Sequence, residues 1–411
     1  MLTRRSAMFA VSGLALLTAA AITPARADQV VKIGIDASLT GGDAQSALLV
    51  KNGAVMAIDE ANAKHTVPGV KFEAMVLDDG TATAGQYDPA QGAINARKMV
   101  ADRTVMGAIG PQMSGVGKAM APILSWGDLA TITPSSTNPD LTDPKFAQQY
   151  RPAGKPIYFR TVATDAFQGP NMANYFADTL KAKSVYILDD TGAYGEGLSN
   201  AFQAQAEKKG IKVLGHDKLD PKAADYSAVL TEIKQLNPDS LYDGGVMQAG
   251  VKLVKQAYEI LPHDMPKAGG DGLITPEMLT AAGFPAAEGW YCTNASPHVT
   301  EDPAAQAWVN AYKAKFNVLP DDYSITAYDG TEVIIDAVKR VAATGKPITR
   351  SAVRDAIQTA KVKTLQGVVS FDANGDIEDR VIAIFQVHHD DKFPVDDMIH
   401  QFKYIGVAPQ A

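Results

Sequence analysis

From Val30 onward, short apolar runs rich in branched residues alternate with amphipathic stretches, and this alternation restricts the chain to β-α units laid on mostly parallel sheets. The predicted strands fall into two sets. Val30–Ser38, Phe72–Asp78, Val105–Gly110 and Ala130–Pro134 form the first; Tyr158–Thr164, Ser184–Asp189, Lys212–His216 and Ser240–Gly244 form the second. Between them, Val50, Ala54, Ala57, Ile58 and Ala61 recur at helical spacing, as do Val116, Ala119, Met120, Ile123 and Leu124, and then Tyr226, Val229, Leu230 and Ile233. Such stripes are core faces. Two βαβ sets in succession predict an α/β fold of two doubly wound, Rossmann-like lobes.

The punctuation between the sets suggests where the chain changes lobe. Asn138–Pro156 is polar, proline-containing and aperiodic, so it reads as a long surface loop leading to a first crossover near Val162–Ala166. A strand-like Gly289–Asn294 follows a Pro- and Gly-rich stretch, and the helical patterns at Ala304–Phe316 and Thr326–Ala342 are expected to rejoin the first lobe. Gly367–Val387 reads as a hairpin turning at Asn374-Gly375. The expected spans are a signal segment over 1–27, the first lobe over 28–163 and 292–365, and the second over 164–291 and 366–411.

The first residues carry Arg4 and Arg5, an apolar run from Ala7 to Ile22, and Ala25-Arg26-Ala27, the three parts of a cleavable secretory signal in order. A membrane anchor would need a longer run. No cysteine lies in this segment to take a lipid, so the mature chain is expected free in a periplasm. Cys292 is the only cysteine, which excludes an intramolecular disulfide. The net charge is −8, and removal of three arginines with the signal makes it more acidic still. Without a basic stripe, nucleic acid is not an expected partner.

No nucleophile with a base, and no useful pair of carboxylates, points to an enzyme. His388 and His389 beside Asp390 and Asp391 read as a solvated strand end, because neighbouring strand residues face opposite ways. Asp372, Asn374 and Asp376 echo a calcium loop but lack its closing glutamate, so a turn is the better account. The glycines Gly192, Gly195 and Gly197 have the wrong spacing for a dinucleotide fingerprint. Neither a cofactor nor a metal is expected.

Val31–Gly41 (VKIGIDASLTG), Gly53–Ala63 (GAVMAIDEANA), Ala108–Leu141, Phe159–Pro170, Asp189–Gly197 (DDTGAYGEG) and Asp225–Asp239 together resemble, in order and spacing, the branched-chain amino-acid-binding proteins, the type I periplasmic solute-binding proteins of ATP-driven (ABC) importers. The resemblance implies two lobes hinged by three crossovers and closing on a zwitterionic small molecule, an amino acid or analogue, which a monomeric receptor passes to permease subunits in the inner membrane. It puts Ser114 at a carboxylate-binding serine, Ser135 and Thr137 at a carbonyl and a hydroxyl for the ammonium, Tyr194 at a ring covering the ligand, and Asp271 at an acid pairing with the ammonium. Read alone, Ser114 is a helix N-cap and Asp271 a turn residue. The chain departs from the family at Ser46 and Val246, where relatives carry rings, and at Met113, one place of a cysteine pair, so the subsite for the ligand side chain is altered. The same module serves elsewhere as a sensor of amides, urea or small carboxylates, which is the alternative reading.

Overall fold

The computed structural model describes residues 28–411; the expected signal segment lies outside the described residues. The first sheet has five strands, all parallel. Val70–Asp78 forms one edge, followed by Gln29–Ala37, Val105–Ile109, Thr131–Thr133 and, at the far edge, Tyr158–Arg160. Val105–Ile109 is buried along its whole length because helices cover both sheet faces. The register shows how: Ile33 pairs with Gly107, and Gly107 faces Ile334 of the helix Asp322–Ala343. Gly34, pointing the other way, faces Met99 of the helix Pro89–Ala101.

The second sheet has seven strands. Lys212–Lys218, Ser184–Asp189, Leu241–Asp243, Lys267–Gly269 and Tyr291–Asn294 run parallel, and Ala383–Val387 and Phe402–Val407 add an antiparallel edge. Trp290, Cys292, Leu253 and Phe385 are among the residues of its core. Among the described residues no helix is long and apolar enough to cross a membrane.

Four features differ from the sequence reading. Tyr158–Arg160 belongs to the first sheet, where it pairs with Thr131–Thr133, and it ends before Thr164. The chain then leaves that sheet: the Ala163 N–H donates to Ala295 O at 2.8 Å, so the first two crossovers run side by side. Tyr291–Asn294 lies wholly in the second sheet, so the return to the first lobe follows Asn294 and not residue 291. The expected Gly367–Val387 hairpin does not form, because Gly367–Val369 pairs with Val362–Thr364 while Ala383–Val387 joins the second sheet. A tight turn survives from it, closed by a bridge between Phe371 and Ile377, with Gly375 at φ 103° against the Tyr158 carbonyl, where a Cβ would sit 2.2 Å from the oxygen. This turn packs on the first lobe, so the third crossover follows it rather than falling at residue 366. Finally, Asn138–Pro156 is not a plain surface loop. It holds two 3₁₀ turns and a helical turn, with Leu141 and Tyr150 buried, and Asn138 and Asp143 cap the 3₁₀ turns by accepting from the Asp140 and Lys145 N–H groups. Such local capping leaves no periodic signature.

Candidate functional site

The carboxyl ends of both sheets face one cleft, the usual ligand position in open α/β sheets. Its cavity encloses about 440 Å³ of non-protein space, part of it open to solvent. Ser114, Ser135, Tyr194 and Asp271 all line it, together with Ser46, Met113 and Val246. Thr137 is fully buried but does not line the cavity; its carbonyl accepts from the Asp165 N–H at 3.0 Å, which holds it back toward the crossover.

Ser114 is the first residue of the helix Ser114–Trp126, and Met113, not Ser114, is the N-cap. The Ser114 hydroxyl instead accepts from the Asn138 N–H at 3.2 Å, tying the helix start to the loop after Thr131–Thr133. The first-turn N–H groups of this 13-residue helix have no partner within the helix, and with its dipole they form a ready anion site. Ser135 donates its hydroxyl to Gln112 O at 3.0 Å.

Asp271 follows the strand Lys267–Gly269 and accepts three hydrogen bonds. Gln168 Nε2 and the Tyr194 hydroxyl reach its Oδ1 at 2.8 and 2.7 Å, and the Tyr323 hydroxyl reaches its Oδ2. Gln168 is itself fixed, its Oε1 accepting from Asp271 N–H at 3.0 Å and from the Thr293 hydroxyl at 2.8 Å, while its Nε2 also reaches Asp165. Two buried carboxylates thus share one amide. Burial, then repulsion from Asp271, pushes Asp165 up to about 8. Burial also raises Asp271, but donation from Tyr323, Tyr194 and Gln168 opposes it. Of the two coupled acids, Asp165 lacks the phenol donors that Asp271 has, so its proton is the more firmly held.

Sequence reasoning missed Tyr323, Gln168 and Arg160. Tyr323 stands in the first turn of Asp322–Ala343, whose start is marked by an Asp321–Ser324 capping box, a signal present in the sequence. Arg160 is fully buried and braces the loop behind the cavity. It donates to Ser136 O at 2.7 Å, Asn138 O at 2.9 Å and the Thr142 hydroxyl at 2.8 Å, and pairs with Asp376 at 2.7 Å. Its partner Asp376 sits in the turn that echoes a calcium loop. There Asp372 Oδ1 accepts from the N–H groups of Asn374, Gly375 and Asp376, so the acids serve backbone and arginines. His388 pairs with Glu288 and His389 with Asp391 at the exposed strand end. Among the described residues no group of three or more His, Cys, Asp or Glu side chains is arranged to hold a metal.

The lobes also meet directly across the cleft. Besides Tyr323 and Asp271, Asn138 Nδ2 donates to Ala193 O at 2.7 Å and the Gln45 N–H to Glu277 Oε1 at 3.2 Å.

Comparison with known proteins places this geometry in context. The sequence model of the family described as "Periplasmic binding protein" matches residues 30–392. The Leu/Ile/Val-binding protein BraC3 of Rhizobium johnstonii is 33% identical over 357 residues, 87% of this chain and 91% of that protein. The leucine-, isoleucine-, valine-, threonine- and alanine-binding protein of Pseudomonas aeruginosa is 28% identical, covering 95% of this chain and 96% of its own length. Among solved structures, the leucine-binding protein LivK of Thermotoga maritima superposes with a TM-score of 0.77 at 26% identity, covering 92% of this chain and 98% of that one.

Proposed function

This chain belongs to the periplasmic binding protein family, and from that premise we propose that it is the soluble receptor of an ABC importer, capturing an amino acid or close analogue between its lobes and delivering it to a permease in the inner membrane. The observation that carries this reading is the cavity itself. It offers an anion site and a buried carboxylate on opposite lobes, the complement of a carboxylate and an ammonium held on one carbon. In this reading the start of the helix Ser114–Trp126, with the Ser114 hydroxyl, takes the ligand carboxylate. Asp271 and the Ser135 carbonyl take the ammonium, and Tyr194 covers the ligand. Tyr323, from the first lobe, completes the acid's surroundings when the lobes close. Thr137 is assigned no contact.

A ligand touching both lobes stabilises only the closed arrangement. Mass spectrometry of the small molecule released from purified protein by mild denaturation tests the ligand class. Small-angle scattering with and without that molecule tests the hinge: a smaller radius of gyration on saturation supports the reading, and an unchanged one under proven saturation overturns it.

A further inference from the structure

The cavity contains more acid than an α-amino acid backbone can use. Its lining includes two carboxylates, Asp43 and Asp271, and no lysine, arginine or histidine. Asp271 is already surrounded by donors, as described above, whereas the Asp43 side chain is different. It is 2% exposed, and its Oδ2 has no hydrogen-bond partner. A second acceptor shares that condition: Gln112, 6% exposed and also lining the cavity, gives its amide N–H to Ser46 at 2.9 Å and leaves Oε1 without a partner. Ser46 stands one turn beyond Asp43 on the helix Ala44–Ala63. Buried acceptors with nothing to accept from are costly in a folded protein, so two of them on one cavity wall point to a donor-bearing ligand group.

Resting on the receptor reading above, we propose that the ligand is an α-amino acid whose side chain ends in a cationic nitrogen, received by the Asp43 carboxylate and Gln112 Oε1. The charges behind Asp43 agree. Burial, then repulsion from Glu277, Asp190 and Asp79, raises it to about 7, so the site holds unneutralised negative potential that an incoming cation would relieve. Apolar side chains would leave both acceptors dry and unpaired. The branched-chain ligands named for the relatives are therefore poor matches to this wall.

Calorimetric titration of the mature protein, stripped of bound solute, with L-lysine, L-ornithine, L-norleucine and L-leucine tests the inference. Norleucine is lysine without its ε-ammonium, so the pair isolates the charge. The expected result is that lysine or ornithine binds at least about tenfold more tightly than norleucine, the size of a modest charge-assisted contact. Asp43→Asn and, separately, Gln112→Leu should shrink that ratio. Titrations of the unmutated protein near pH 7 in buffers of different ionisation enthalpy should also show proton release with the diamino acid and none with norleucine, which keeps the test open if a variant fails to fold. Norleucine or leucine binding more tightly than both diamino acids overturns the inference and leaves the amino-acid receptor standing. A preference that survives Asp43→Asn overturns the role of Asp43. Failure of all four to bind, while the solute released from the protein rebinds, overturns this inference; a released solute that is no amino acid or close analogue overturns the receptor reading as well.

Discussion

Tyr323, carried by the first lobe, donates its hydroxyl to the carboxylate of Asp271 in the second, so the residue proposed to hold the ligand ammonium is also the point where the lobes are fastened together. The proposed ligand contact and the lobe closure thus share one buried carboxyl group. A second phenol, Tyr194, reaches the same carboxylate from its own lobe and also accepts from the Gly272 N–H at 3.0 Å.

The two tyrosines should therefore separate on mutation. Tyr323→Phe removes a bond that exists only when the lobes meet, and a hydrogen bond to a charged group contributes about 1.5–3 kcal/mol. The expected outcome is weaker binding by that amount, with the unliganded protein more open in small-angle scattering. Tyr194→Phe should weaken binding without changing the unliganded shape. Equal shape changes in both variants would show that Tyr323 is not the fastening.

Asp271→Asn keeps the shape of the side chain but removes its charge, and loss of a buried charge-assisted contact should cost on the order of 2–5 kcal/mol of binding. Ser114→Ala removes one hydroxyl while the helix N–H groups remain, so roughly 1.5–3 kcal/mol is expected. Calorimetry with the copurified ligand ranks them. An Asp271→Asn protein that binds as tightly as its parent would mean the ligand has no ammonium at this place.

Arg160→Met tests the support behind the site. The substitution strands Asp376 and frees two buried carbonyls, and breaking a buried pair costs about 3–5 kcal/mol. Chemical denaturation should show a loss of that size. Because Arg160 braces the loop carrying Ser135 without touching the cavity, ligand affinity measured well below the transition should fall less than in Asp271→Asn.

How far the sequence discloses this architecture depends on the range of the forces involved. Ser184–Asp189 has the bounds its sequence predicts, since a strand covered on both faces is a continuous apolar run. The same local signal cannot say which sheet a strand joins: the strand pattern groups Tyr158–Thr164 with the second set, the expected first-lobe span 28–163 includes its start, and the strand Tyr158–Arg160 pairs in the first sheet. Ser114, Ser135, Tyr194 and Asp271, which family resemblance singles out, line the cavity, whereas the sequence carries no mark of their partners. Gln168 and Tyr323 meet Asp271 across 103 and 52 residues of chain, and neither carries a local pattern that marks it as polar and buried. The Asp321–Ser324 box was the nearest available clue, and it marks a helix start rather than a contact.

Burial raises Asp165 and Asp243 to about 8, Asp43 to about 7, and Asp321 and Asp329 to about 6, against about 3.9 for an unfolded aspartate. Between about pH 4 and pH 8 the native state therefore binds more protons than the unfolded one, and stability must fall as pH rises through that window. His298 acts in the same direction. Burial works against its protonation, but Asp322 at 2.9 Å and Glu301 at 2.8 Å outweigh it and raise the imidazole. Its contribution is complete below the unfolded value of about 6.5 and is lost as pH climbs through the raised folded value. The Lys32 hydrogen bond that lowers Asp102 has the opposite sense, but its contribution is lost only as pH falls below about 4. Scanning calorimetry of the unliganded protein should thus give a higher Tm at pH 5 than at pH 8. Asp165→Asn, which imitates the protonated acid without adding bulk, should flatten the slope in the upper part of the window. A Tm that rises from pH 5 to pH 8 would mean that these buried acids are ionised and compensated in the native state, and the raised titration of Asp165 would fall with it.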